Sequence, residues 1–199
     1  MFIRTLVKGF CGVAAFLVVP ALLMGSPNQR QTDPPAVAYQ TLQVHNEAST
    51  LLQELRTKAI HVRDLADRLE MFNRDGSTIS WQADAAVLTE AKSQVNAMDQ
   101  MLLRLRTIRG EALPWQQKAI DRVAPKVVEL TDYVQDAILN LNNNQPTIHL
   151  LDQTYAQDAE DMYQRANTIA LSIGQFEEYA TAKSEIQQLG PKLGIKTVS

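Results

Sequence analysis

The chain of 199 residues carries a formal net charge of -3 at pH 7, and this mildly acidic balance argues against nucleic acid as a partner. It contains only eight glycines and eight prolines, and 6% of its residues are aromatic, a composition that favours helices. Cys11 is the only cysteine, so the sequence excludes an intrachain disulfide and a cysteine-based metal site.

The first 25 residues combine a short basic start with an apolar run. Arg4 and Lys8 precede an uncharged, largely apolar stretch at 9–24. This combination is typical of an export signal, but the run also approaches the roughly 17 residues that a membrane-spanning helix needs. Residues 1–25 are therefore predicted to be either a cleaved signal peptide or a retained N-terminal anchor. Either one places the rest of the chain outside the cytoplasm, as a periplasmic, secreted or membrane-anchored protein.

Residues 26–36 are polar and proline-rich, and we expect them to form an extended tether between the leader and a folded domain. After the tether, apolar residues recur three and four positions apart from about Val37 to Phe72, which predicts a long amphipathic helix. The row of apolar residues expected to face the core, which we call the seam of the helix, comprises Ala48, Leu52, Leu55, Ala59, Val62, Ala66 and Leu69. Turn-forming residues at 73–77 are expected to end it.

The same apolar period predicts three further helices. They run from about Trp81 to Arg109, from Pro114 to about Leu141, and from about Leu151 to residue 189. Residues 190–199 follow as a flexible tail. Long helices with short connections predict an all-α fold, an elongated antiparallel up-down-up-down four-helix bundle over 37–189. The near-heptad seams also predict the gentle supercoil of a coiled coil.

This topology places a basic cluster at the end of the bundle nearest the tether. The cluster comprises Arg104, Arg106, Arg109, Lys118 and Arg122. Together with Trp115 it could contact anionic headgroups of a membrane. Alternatively, the arginines offset the dipole of the second helix, and Glu177, Glu178 and Glu185 neutralise the cluster. Both interpretations stay open at the level of sequence.

No pattern in the sequence predicts a catalytic residue, a cofactor or a metal site. The chain has no Gly-x-Ser-x-Gly, phosphate loop or Gly-x-Gly-x-x-Gly motif. His45, His61 and His149 do not occur in the Glu-x-x-His pairs of a di-iron bundle. Two groups of carboxylates are interpreted as solvated faces, although oxygen ligands could hold a divalent cation. They are Glu129, Asp132 and Asp136, and Asp158, Glu160 and Asp161.

A set of methionine and aromatic residues is expected to fill the core, or alternatively to line a ligand cavity between helices. It comprises Met98, Met101, Tyr155, Met162, Tyr163, Phe176 and Tyr179. The leading hypothesis is a non-enzymatic exported bundle that serves as an envelope interaction or scaffolding domain with an unidentified protein partner. Its N-terminal segment is a further candidate for contact with a membrane. The alternative is a sensory or carrier bundle that binds a small molecule outside the cytoplasm.

Overall fold

The computed structural model describes residues 36–75, 80–145 and 153–189, which all belong to one compact unit, Pro34–Ser199. The predicted leader, all of the predicted tether except Ala36, and the tail at 190–199 lie outside the described residues. The predictions for these segments therefore stay predictions.

Four α-helices make up nearly all of the described chain, which contains no β-strand. They are α1 (Ala36–Asp75), α2 (Trp81–Ile108), α3 (Pro114–Asn144) and α4 (Gln153–Leu189). A short 3-10 helix, Arg109–Glu111, follows α2. None of the four helices combines the length and the apolar composition needed to cross a membrane. The predicted all-helical fold is confirmed.

Each helix packs mainly against its two neighbours around a square. The helix α1 contacts α2 and α4 extensively, α3 also contacts α2 and α4, and the diagonal pair α1 and α3 meets only weakly. This pattern confirms an up-down four-helix bundle. One continuous hydrophobic cluster fills its interior, and all seven seam residues predicted for α1 are fully buried within it. Each large aliphatic side chain buried in this way contributes roughly 1.5–3 kcal/mol to folding.

The helices differ in length, and the excess projects at one end of the bundle. The first and last helices have 40 and 37 residues, whereas α2 and α3 have 28 and 31. Every side chain in residues 39–43 of α1 and 181–189 of α4 is exposed. We call these two stretches the projecting turns. The projecting turns lie beside the 3-10 helix and the start of α3. We call this end of the bundle the α2–α3 end.

Candidate functional site

The start of α3 is fixed against α1 by one buried amide. Pro114 occupies the first turn of α3, where its missing N–H costs nothing. The Gln116 side chain is fully buried and accepts a 2.8 Å hydrogen bond from the Leu113 backbone N–H. Its Nε2 donates to the His45 carbonyl at 2.8 Å and to Ser49 Oγ at 2.9 Å. Because all of these groups are satisfied within the protein, α3 begins at a defined level along α1.

A groove of ≈ 690 Å³ lies between this first part of α3 and the last turns of α4. Its apolar wall comprises Leu113, Pro114, Trp115, Phe176, Tyr179 and Ala180. Its polar lining comprises Lys118, Gln175, Lys183, Ser184 and Gln187. The groove exists because α4 continues past the level at which the four-helix core ends. Beyond that level, the apolar side chains of α4 are no longer covered by all of the neighbouring helices.

The groove is positively charged and its cations have no acidic partner within it. No aspartate or glutamate lines the groove, whereas Lys118 and Lys183 stand on its α3 and α4 sides. Among the described residues, neither lysine forms a side-chain hydrogen bond or a salt bridge. Six arginines elsewhere do pair with acids: Arg56, Arg63, Arg74, Arg104, Arg109 and Arg165. The groove therefore combines an apolar wall with two available positive charges.

The predicted basic cluster does lie at the α2–α3 end, but its members have separate surroundings. Arg104 donates to Glu47 of α1 with Nε–Oε1 and Nη2–Oε2 distances of 2.5 and 2.9 Å. Arg109 binds both carboxylate oxygens of Asp121, at 2.6 and 2.5 Å. These hydrogen bonds lower the pKa of Glu47 and Asp121 below their usual range. The positive charges of Arg104 and Arg109 are thus largely offset within the protein.

The remaining three members of the cluster divide between groove and solvent. Arg106 and Arg122 are exposed, and Lys118 lines the groove. Glu47 and Asp121 thus pair with two members of the cluster, and the sequence had suggested three glutamates of α4 for this role. One of those, Glu177, instead accepts a 3.0 Å hydrogen bond from Arg56 of α1. Contact of the cluster with a membrane stays a prediction.

The histidines are distributed singly. His45 Nε2 lies 3.1 Å from the Glu111 carbonyl oxygen, and His61 Nε2 lies 2.9 Å from Glu90 Oε1. His149 lies outside the described residues. Within the described ranges, no three histidine, cysteine, aspartate or glutamate side chains come together as a possible metal site.

The two groups of carboxylates are not equally solvated. Asp132 and Asp136 are exposed, and Glu129 forms a salt bridge with Arg165 of α4. In the second group, however, Asp158 is buried and accepts a hydrogen bond from Asn140 Nδ2. The interpretation of a solvated face is therefore wrong for Asp158, because this position turns toward α3.

A buried polar contact that the sequence did not reveal joins α2 and α4. Asp84, in the first turn of α2, and Tyr155, near the start of α4, are both fully buried. The Tyr155 hydroxyl donates to Asp84 Oδ1 at 3.1 Å. Burial, with the negative charge of Asp84 as the second cause, raises the pKa of Tyr155 far above its usual range. The tyrosine therefore stays a neutral donor, and the contact has a structural role.

The set of methionine and aromatic residues is divided between core and groove. Met98, Tyr155 and Met162 are fully buried, as expected for core filling. Phe176 and Tyr179 line the groove, and Tyr179 is 60% exposed.

Comparison of the chain with models of protein families, with curated proteins and with solved structures found no match. The functional argument therefore rests on the groove and its surroundings.

Proposed function

We propose that this chain is a non-enzymatic helical-bundle interaction domain that binds a protein partner through the α2–α3 end. In this proposal it acts as a scaffold outside the cytoplasm, either exported or held at a membrane by residues 1–25. The basic start and apolar run of the sequence support that location. Coiled-coil-like pairing with a partner helix fits the apolar spacing of the projecting turns of α4.

The concentration of exposed apolar side chains at one end carries the proposal. Ten large hydrophobic residues are exposed among the described residues; four of them belong to the projecting turns and a fifth lines the groove beside them. The five are Tyr39, Leu42, Tyr179, Ile186 and Leu189. Apolar residues scattered singly over a surface are ordinary, but a group rimmed by polar residues marks an interaction surface. Ile186 is 62% exposed and does not line the groove, so it is available to a protein partner.

Site-specific photocrosslinking in intact native cells tests the proposal. A photoreactive amino acid replaces Ile186 in one variant and Leu139 in the control variant. Leu139 is also an exposed hydrophobic residue, but it lies toward the opposite end of α3. We expect one discrete crosslinked protein from position 186 and none from position 139. Identical products from both positions, or no product from position 186, would contradict the proposal.

A second candidate function, a sensory or carrier bundle for a small molecule, is favoured by the groove itself. Ligand sites commonly occupy about 300–1,000 Å³ and are lined mainly by apolar and aromatic side chains with a few polar groups. The groove of ≈ 690 Å³, with Trp115, Phe176 and Tyr179 in its wall, has these properties.

A further inference from the structure

We infer that the groove is a binding site for a free amphiphilic anion, namely a single long-chain carboxylate whose alkyl chain lies along α4. The inference rests on the second candidate function and names its ligand class. It does not depend on the protein partner proposed for Ile186, because that side chain does not line the groove.

The wall of the groove suits an alkyl chain. Side chains from Leu113 to Trp115 form one bank, and Phe176, Tyr179 and Ala180 form the other. No residue of α4 from Gln175 onward is buried, so these apolar groups remain in contact with water in the free protein. An alkyl chain that displaces this water gains free energy in proportion to the apolar area covered.

The charges of the groove determine which end group the ligand carries. Lys118 and Lys183 flank the apolar wall, and no acidic side chain lines it. An ammonium group on a flexible stem can follow a carboxylate without a fixed geometry. A cationic amphiphile would meet two like charges, and a neutral one would gain no attraction from the two exposed lysines. The groove therefore favours an anion.

The same charges disfavour the chain's own terminal segments as occupants. Residues 1–35 carry Arg4, Lys8 and Arg30 against the single acid Asp33, and the tail carries Lys192 and Lys196 with no acidic side chain. Both segments are basic, so a groove that already holds two lysines would repel them.

The dimensions favour an alkyl chain over a helix or a bilayer. The lining residues of α4 extend from Gln175 to Gln187, which is about 18 Å at the helical rise. Spread over that length, ≈ 690 Å³ gives a cross-section of about 40 Å², whereas a helix with its side chains is about 10–12 Å across. The apolar groups also line a concave surface, which a flat bilayer cannot enter.

Trp115 provides a direct reporter of occupancy. The chain has only two tryptophans, and Trp81 lies at the start of α2, near the opposite end of the bundle. In a Trp81→Phe variant, all tryptophan fluorescence therefore comes from the groove. Titration with monomeric dodecanoate should give a saturable change in that fluorescence. Decanoate should bind roughly 10-fold more weakly, because each buried methylene contributes about 0.8 kcal/mol.

Charge-matched probes and variants test the role of the lysines. Dodecyltrimethylammonium should give no saturable change at the concentrations at which dodecanoate saturates. The double variant Lys118→Gln/Lys183→Gln should lose at least 10-fold in affinity for dodecanoate. The control Lys92→Gln/Lys126→Gln removes the same charge from positions outside the groove and should bind dodecanoate as the parent does. Calorimetry on the unmodified chain repeats the titration without the Trp81 substitution.

Three outcomes would overturn the inference. They are equal binding of the cationic and anionic probes, undiminished binding after loss of the groove lysines, and binding to vesicles of anionic phospholipid without binding to monomeric dodecanoate. A crosslinked protein at position 186 together with failure of dodecanoate to bind would refute the ligand site and leave the interaction domain standing. Dodecanoate binding without a crosslink at position 186 would support the ligand site and refute the interaction domain.

Discussion

The two halves of α4 carry a similar apolar period but have opposite surroundings. From Tyr155 to Ile173 the helix places fully buried side chains in the core, whereas no residue from Gln175 to Leu189 is buried. The difference arises from the neighbours, because α3 begins at Pro114 and covers α4 only up to that level. One helix thus supplies both stability and a candidate binding surface, and the two functions should respond separately to mutation.

The largest expected effect comes from one substitution made in each half. Ile169→Ala removes a fully buried side chain and should lower the free energy of unfolding by about 2–5 kcal/mol. Ile186→Ala, at a position 62% exposed, should change it by less than about 0.5 kcal/mol. Urea denaturation followed by circular dichroism measures both. Similar losses at the two positions would show that the projecting turns are covered in solution.

The buried half also depends on a polar contact. Tyr155→Phe removes the hydroxyl that donates to Asp84 and should destabilise the bundle by about 1–3 kcal/mol, because a buried carboxyl loses a donor. Tyr163→Phe removes a hydroxyl from a half-buried residue of the same half and is the matched control. Equal denaturation midpoints for the two variants would contradict a stabilising role for the contact.

Gly174 lies where the two halves of α4 meet. A Cβ at this position would lie 3.1 Å from Arg56 Nη2. Because the Arg56 side chain is 42% exposed, its guanidinium can move aside. Gly174→Ala should then stabilise the protein by about 0.5–1 kcal/mol through helix propensity.

The control for this substitution is Gly110→Ala, since a Cβ at Gly110 would have no atom within 4 Å. Thermal denaturation compares the two variants. A loss of stability for Gly174→Ala alone would mean that Arg56 is held rigidly and that the close packing of α1 and α4 extends to this level.

The smallest expected effect is a pH dependence where Glu70 of α1 meets Glu160 in the buried half of α4. Burial and a hydrogen bond with Glu160 raise the pKa of Glu70, Asp67 adds to the increase and Arg74 opposes it. The pKa of Glu160 is lowered, chiefly by Gln164. Because the folded-state pKa of Glu70 exceeds its ordinary value of 4.5, its contribution to stability is complete below that pH and is lost as the pH rises through the folded-state value.

Glu70→Gln should therefore be more stable than the parent at pH 7 by less than about 1 kcal/mol, and should show less change between pH 4.5 and 7. Denaturation midpoints at the two pH values measure the difference. Glu54→Gln, at an exposed position of the same helix, should leave the pH dependence of the parent unchanged. An unaltered pH dependence in Glu70→Gln would assign the titration to other groups.

The sequence predicted the fold because the apolar period is long and consistent in all four helices. It did not reveal the buried polar residues, although the gaps in that period marked their positions. The seam of the second helix passes from Trp81 to Leu88, and Asp84 fills the turn between them. Likewise, Asp158 lies between Tyr155 and Met162 on the seam of α4. Periodicity locates such positions, but only tertiary contacts show that the polar group is buried and hydrogen-bonded.

The groove could not be predicted for a different reason. Phe176 and Ala180 continue the apolar period of the last helix, which favours positions in the core, and a ligand cavity was the alternative interpretation for Phe176. Both line the groove because the covering helix starts too late to bury them. The sequence placed the start of α3 at Pro114 and the end of α4 at residue 189, as observed, but the levels of these two ends relative to one another depend on tertiary contacts such as those of Gln116.

The buried amide of Gln116 has a consequence for how this site can change over evolution. It fixes the level at which α3 begins along α1, so the length of the groove depends on how far α4 continues past that level. Adding one helical turn to the end of α4 would lengthen the groove by about 5.4 Å without altering the hydrogen bonds of Gln116 or any core contact. At the ligand site that we infer, selectivity for ligand length would therefore depend on where α4 ends, independently of the lysines that we expect to select an anion.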